Sequence, residues 1–508
     1  MPSTIPSNCS ADATSALNTL FASLPAGAVV NFPDNGCYLV SGSATSDLLI
    51  ANTTGVTLNG DGTTFRQLTY KTPSGADACG VLIRDPILTL QANRDLTVNN
   101  LVLDGPHGSG TQYDCGGAMN EGDAGLLIGG PADAVGNHGV TFDAVTVENT
   151  DGDGIDLYPQ LATNSGANSN IVFEDGALQN WGWFGIVGEG VQGFSFSHNN
   201  VIGGGFMDVE VDNACPANCL NPDGTLRGDG VAAMTISNNT FQVGSFLVSE
   251  GGRGCMPQTN WVISDNNFGS GNAGVSLDGS YGEPACPLDN TGFTYTYNSG
   301  GTTGSACGSS YGTPPGFCAG LNLAGWAKVT IANNDIGFPI GVLGTRRTIT
   351  GASISTTGGV SSLTSSTATF AASDVGDLVV AQGVTLGDTI ASVTSPTTAT
   401  LREPAAADGS NLTVAIGEGS YYPDAPLIQA VGLCGVYGAT IANNVFDGAY
   451  SAWAPTRCFD ETGYPTPTTG VTACGNTWGV IHPQPYYAFT SLTPKPAPKP
   501  APLADAAC

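Results

Sequence analysis

The sequence predicts an all-β chain built of stacked coils, and three observations predict it. An Asn-rich corner recurs as Thr97-Val-Asn-Asn-Leu-Val-Leu-Asp104, Phe196-Ser-His-Asn-Asn-Val-Ile202, Ile236-Ser-Asn-Asn-Thr-Phe241, Ile263-Ser-Asp-Asn-Asn-Phe268, Ile331-Ala-Asn-Asn-Asp-Ile336 and Ile441-Ala-Asn-Asn-Val-Phe446. The shortest intervals are 23 residues from Phe173 to Phe196 and 27 from Ile236 to Ile263. At ~3.3 Å per strand residue, such an interval fits three short strands and their corners. Third, a single amphipathic helix precedes a long succession of β-branched runs separated by Gly, Asn and Asp. One unit of this size cannot close a core, so the units must stack.

The helix is expected over residues 11–24, where Leu17, Leu20, Phe21 and Leu24 fall at i, i+3, i+4 and i+7. Pro-Ala-Gly ends it, and Val29-Val30-Asn31-Phe32-Pro33 opens a strand. In the corners, Asn tolerates the left-handed conformation and stacked Asn side chains hydrogen-bond along the stack. His198 occupies such a corner and reads as structural.

These features resemble the pectin-lyase-like, right-handed parallel β-helix superfamily of polysaccharide-processing enzymes and phage tailspikes. The resemblance includes the entrance, a helix before Pro-Ala-Gly-Ala-Val-Val-Asn-Phe-Pro, and spans roughly residues 10–345 and 425–485. It implies a cap at 1–45, a β-helix over 46–345 and further coils over 421–490. Residues 346–420 lack Asn corners and are rich in Ser, Thr, Val and Ala; they read as an inserted small β module. Residues 491–508 carry Pro-Lys-Pro-Ala-Pro-Lys-Pro-Ala-Pro, a stiff tail ending in Cys508.

The chain has 508 residues, 41% of them hydrophobic, and carries 42 acidic against 13 basic side chains for a net charge of −29. That charge argues against nucleic acid, an anionic membrane surface or a polyanionic substrate as partner without a bridging cation. No segment approaches the ~20 apolar residues of a transmembrane helix. Met1-Pro2-Ser3-Thr4 opens without the basic and apolar regions of a secretory signal. The expectation is a mature form with an added Met, or export by another route such as lysis, to an extracellular or virion-tail location.

Fourteen cysteines point to disulfides and an oxidising destination. Cys215 and Cys219 have no second thiol or His pair to complete a zinc site. Candidate staples, whose connectivity spacing leaves open, are Cys9 with Cys37, Cys79 with Cys115, Cys307 with Cys318, and Cys458 with Cys474.

The chemistry is expected on one set of strands. Gly154-Ile-Asp-Leu-Tyr158, Gly185-Ile-Val-Gly-Glu189, Asp208-Val-Glu-Val-Asp212, Phe246-Leu-Val-Ser-Glu250 and Gly274-Val-Ser-Leu-Asp278 superpose without gaps. Ile155, Ile186, Val209, Leu247 and Val275 then point inward. The outward columns read Asp156, Val187, Glu210, Val248, Ser276 and Tyr158, Glu189, Asp212, Glu250, Asp278. Four consecutive carboxylates in the second column repel one another unless they share protons, bind a cation or serve catalysis.

Their spacing suits glycoside hydrolysis, which uses two carboxyl groups ~5 Å apart for retention or ~6.5–9.5 Å apart for inversion. The first candidate pair is Glu210 and Asp212, with Glu189, Glu250 and Asp156 as further catalytic candidates. Trp181, Trp183, Tyr158, Arg253 and Asp278 are candidates for binding substrate. Trp181, Trp183 and Phe184 read equally as a sugar-stacking rim or as loop packing. Asn149-Thr150-Asp151-Gly152 resembles the Asn-Thr-Asp-Gly motif of polygalacturonase-type hydrolases. The chain has no following Asp-Asp-Cys, Gly-His-Gly or Arg-Ile-Lys. A uronate lyase is disfavoured, since Arg253 and Arg227 are the only basic groups near this face.

The leading expectation is therefore a hydrolase of a neutral or weakly charged polysaccharide that requires no cofactor. One alternative is a phage tailspike depolymerase, which would be a homotrimer. The other is a non-catalytic glycan-binding or surface-structural protein stabilised by Ca²⁺ on the acidic column.

Overall fold

A computed structural model describes residues 5–40, 48–67, 86–107, 123–130, 133, 135–158, 168–204, 207–212, 230–243, 248–251, 258–269, 275–278, 290–302, 318–337, 345–375, 378–381, 384, 390–402, 404–405, 407–417, 428–434, 436–447, 451–455 and 470–478. The stacked coils pair through parallel strands throughout. One face is an eleven-stranded sheet running in chain order from Leu49–Ala51 to Ser451–Pro455. The other strands of each coil pair in the same parallel manner, as in Ser169–Glu174 with Gln192–Ser197 and Ala177–Gln179 with Asn200–Ile202. The fold is thus the parallel β-helix that the repeat predicts. Its core is one continuous cluster from Leu17 and Phe21 to Ile441 and Phe446.

Two side-chain stacks hold the corners. Asn199, Asn239, Asn266, Asn298, Asn334, Asn444 and Asn476 form the longer one. In each successive pair, the backbone N–H and Nδ2 of one Asn donate to Oδ1 of the next, at 2.8–3.2 Å. Each Nδ2 also donates to a strand carbonyl, such as Ile263 for Asn298. The preceding residues, His198, Asn238, Asp265, Tyr297, Asn333 and Asn443, turn the corner with φ of 56–59°. His198 therefore has the structural place expected of it. At a second corner Thr53, Asn93, Asn137 and Asn168 stack in the same way.

The helix spans Thr14–Ala22, within the expected 11–24, and buries Leu17 and Phe21. A strand that the sequence did not signal, Asn8–Asp12, precedes it and pairs with Cys37–Val40. The Cys9–Cys37 disulfide, one of the candidate staples, ties the two strands. Cys474 is also disulfide-bonded; Cys458, Cys79, Cys115 and Cys307 lie outside the described residues, as do Cys215, Cys219 and the 491–508 tail. Within the core, burial pushes the Tyr295 phenol far above its ordinary range, so it stays neutral.

Between Asp335–Gly337 and Ile428–Cys434, the chain leaves the stack. Thr345–Gly417 form a six-stranded antiparallel sheet with its own core of Ile349, Ile354, Leu363, Phe370, Val379, Ile390, Val414 and others. The stack closes beneath this excursion without a gap: Asn334 donates to Asn444 at 2.8 Å, and Trp326–Ala332 pairs with Tyr437–Ala442. Among the described residues, no helix is long and apolar enough to cross a membrane.

Candidate active site

The five strands expected to carry the acids are consecutive in the eleven-stranded sheet. Alternation decides which side chains face the core. Ile155, Leu157, Ile186, Val209 and Val211 are at most 2% exposed and belong to the main core cluster. The intervening residues face away from it. Register then fixes the outer columns: Asp156 lies beside Val187, Val187 beside Glu210, and Glu189 beside Asp212. Glu189 and Glu210 are half-buried side chains.

One part of the expected ladder is wrong. The sequence alignment set Glu250 beside Asp212, but the strands pair Val248 with Val209, Ser249 with Glu210, Glu250 with Val211 and Gly251 with Asp212. Leu247 and Val248 are consecutive aliphatic residues, and either satisfies an inward position in the pattern. A slip of one residue exchanges the two faces of a strand. Glu250 consequently takes the register of the core-facing Val211 and leaves the candidate acid group. Asp278 pairs with Gly251 and so keeps the register of Asp212, two strands away. The column is therefore Glu189, Asp212, Gly251, Asp278.

Two other candidates are buried. Asp156 is only 4% exposed and lies on the far side of Val187 from Glu210. Trp181 is no rim residue: it is 1% exposed, joins the main core, and its indole lies where a Cβ on Gly204 would sit, 2.3 Å away. Packing was the other reading of this segment, and for Trp181 it holds. Trp181→Ala is expected to cost about 3–5 kcal/mol of stability while leaving glycan affinity per folded molecule unchanged; thermal unfolding and a binding titration on the same sample check both.

Trp183 is half-buried and packs on Phe184, ring centroids 4.9 Å apart. With Val187 these two form a small apolar cluster outside the main core. Tyr158 is half-buried and stands one residue beyond the Leu157–Gly188 pair, in the register of Glu189. Arg253 and Arg227 lie outside the described residues.

Further acids lie at the end of the strand Thr97–Asp104 and in the connection 149–154 that leads into Ile155–Tyr158. Asp151, from the Asn-Thr-Asp-Gly segment, is buried and hydrogen-bonds His107 Nδ1 at 2.7 Å. Asp153 Oδ1 accepts from the Phe184 backbone N–H at 3.1 Å, and so fixes the start of the Glu189 strand. Asp104 accepts from Arg66 Nε and Asn149 Nδ2, both at 2.7 Å. These contacts span 31 to 45 positions, so no local spacing signals them. Among the described residues, no group of three or more His, Cys, Asp or Glu side chains could hold a metal ion.

No family model and no curated protein matches the chain. Among solved structures, it is similar to a hyperthermoactive exopolygalacturonase from Thermotoga maritima, with 11% identity and a TM-score of 0.37 over 65% of this chain and 83% of the other. It is also similar to a tailspike protein of E. coli bacteriophage HK620 in complex with hexasaccharide, with 7% identity and a TM-score of 0.21 over 82% and 91%. The parallel pairing of successive strands gives the chain the parallel β-helix fold that its repeat predicts.

Proposed function

We propose that the protein is an extracellular carbohydrate-active β-helix, a glycoside hydrolase that cleaves a neutral or weakly charged polysaccharide through Glu189, Glu210 and Asp212. The observation that supports this most is the register of Glu189 beside Asp212, with Glu210 two positions earlier on the same strand. Neighbouring strands are ~4.8 Å apart and same-face positions along one strand ~6.5–7 Å. Carboxyl groups at such spacings serve retaining and inverting hydrolysis respectively. Like charges at this distance favour one proton shared between two acids, which provides a general acid beside an ionised partner. The net charge of −29 favours an uncharged chain over a polyanion.

A panel of amylose, xylan, mannan, galactan, soluble cellulose and polygalacturonate, assayed for new reducing ends, tests the reading. Release is expected from at least one neutral member. Release from none, or from polygalacturonate alone, overturns it.

A further inference from the structure

We propose that the site engages the end of a glycan chain and does not cleave along its length; this rests on the reading of Glu189, Glu210 and Asp212 as the acid site. Those residues occupy adjacent strands, so the site extends along the stack. A ligand several sugars long that follows the acids therefore crosses successive strands.

In one direction it meets an obstruction. Thr89 pairs with Leu127, Leu127 with Asp156, Asp156 with Val187 and Val187 with Glu210, which makes one column. At Asp156 the alternation turns this column away from the core, because Ile155 and Leu157 on either side are the core residues. An outer column of an open sheet is solvated. Here Thr89, Leu127, Asp156 and Val187 are 4%, 5%, 4% and 7% exposed, whereas Glu210 is half-buried. This column is thus covered over four strands, about 14 Å at ~4.8 Å per step, while Tyr158 and Glu189 in the neighbouring outer column are half-buried.

The boundary of the covered stretch is built from named groups. Val187, immediately next to Glu210, is packed by Phe184, itself 2% exposed, with Trp183 against them. A sugar touching Glu210 therefore has an apolar wall of Trp183, Phe184 and Val187 on its Asp156 side, and the column it follows is covered beyond that point. The terminal sugar sits against that wall, with its ring face or C–H edge available to the indole.

The experiment uses cello-, xylo-, manno- and galacto-hexasaccharides, uncapped, capped with a bulky fluorophore at the reducing end, or capped at the non-reducing end. Cleavage is followed with the full-length protein, and binding with the full-length Glu210→Gln variant. Capping one end, and only one, is expected to lower cleavage at least tenfold and to weaken binding by a similar factor. Products should have a single length from the first turnovers. Equal cleavage of both capped forms, with mixed product lengths, overturns the end-acting inference and leaves the hydrolase reading intact. Failure to cleave any member overturns the hydrolase reading; binding then still decides the inference, since equal binding of both capped forms, or none of any form, refutes it.

Discussion

Glu210→Gln and Asp212→Asn should each reduce glycan cleavage by roughly 10²–10⁴-fold, the usual contribution of a positioned acid or base, without lowering the melting temperature. Both residues lie on the strand Met207–Asp212, whose Val209 and Val211 carry its core packing. The amides keep the size of the carboxyl groups but cannot ionise, and they replace one acceptor oxygen by an NH2 donor. Glu189→Gln separates the two geometries. If Glu189 and Asp212 form the working pair across adjacent strands, its loss matches that of Asp212→Asn. If Glu210 and Asp212 work along one strand, Glu189→Gln has a small effect. Glu250→Gln should leave cleavage unchanged, because that residue falls in the core register. Full activity in both Glu210→Gln and Asp212→Asn would remove this strand from the chemistry.

Asn298→Ala is expected to lower stability sharply through the corner stack. Asn298 Oδ1 accepts from both the backbone N–H and Nδ2 of Asn266, and its own Nδ2 donates to Asn334 and to the Ile263 carbonyl. Alanine leaves two buried donors on Asn266 without their acceptor, at ~1–3 kcal/mol for each buried group left unsatisfied. A loss of about 3 kcal/mol or more is therefore expected, against the fraction of a kcal/mol typical of an exposed site. Asn267→Ala, one position beyond the ladder residue Asn266 and exposed, is the internal comparison in chemical denaturation. Equal losses in the two variants would show that the stack contributes little.

The fold was legible because its strongest constraint is local. A left-handed corner followed by a ladder Asn needs only two residues, and Ile-Ser-Asn-Asn or Ile-Ala-Asn-Asn displays it at Asn239, Asn334 and Asn444. The acidic strand was legible for the same reason, since Val209 and Val211 leave one choice of inward face. Leu247-Val248 offers two, and the fold uses the second, pairing Val248 with Val209. Trp181 could not be placed from sequence because Trp181-Gly182-Trp183-Phe184 has no period; its burial depends on Gly204, in the next coil, having no side chain. The Asn8–Asp12 strand escaped notice because its partner lies beyond the helix. Burial of the outer column from Thr89 to Val187 has no signature either, since Thr-Leu-Asp-Val is composed one residue at a time from four separate coils.

The join between Asn334 and Asn444 has a consequence for the order of assembly. Elsewhere in this stack a new coil closes after about 32 residues, as between Asn444 and Asn476, but here the partners are 110 apart. Loop-closure entropy grows with the logarithm of length, so the longer closure costs roughly 1 kcal/mol more if the intervening chain is unfolded. A segment with its own core can shorten that loop by folding first, bringing its two ends together. The module then acts as a clasp in the folding reaction. Coils on its N-terminal side can stack as they emerge from synthesis, while the Asn444 and Asn476 coils wait for it.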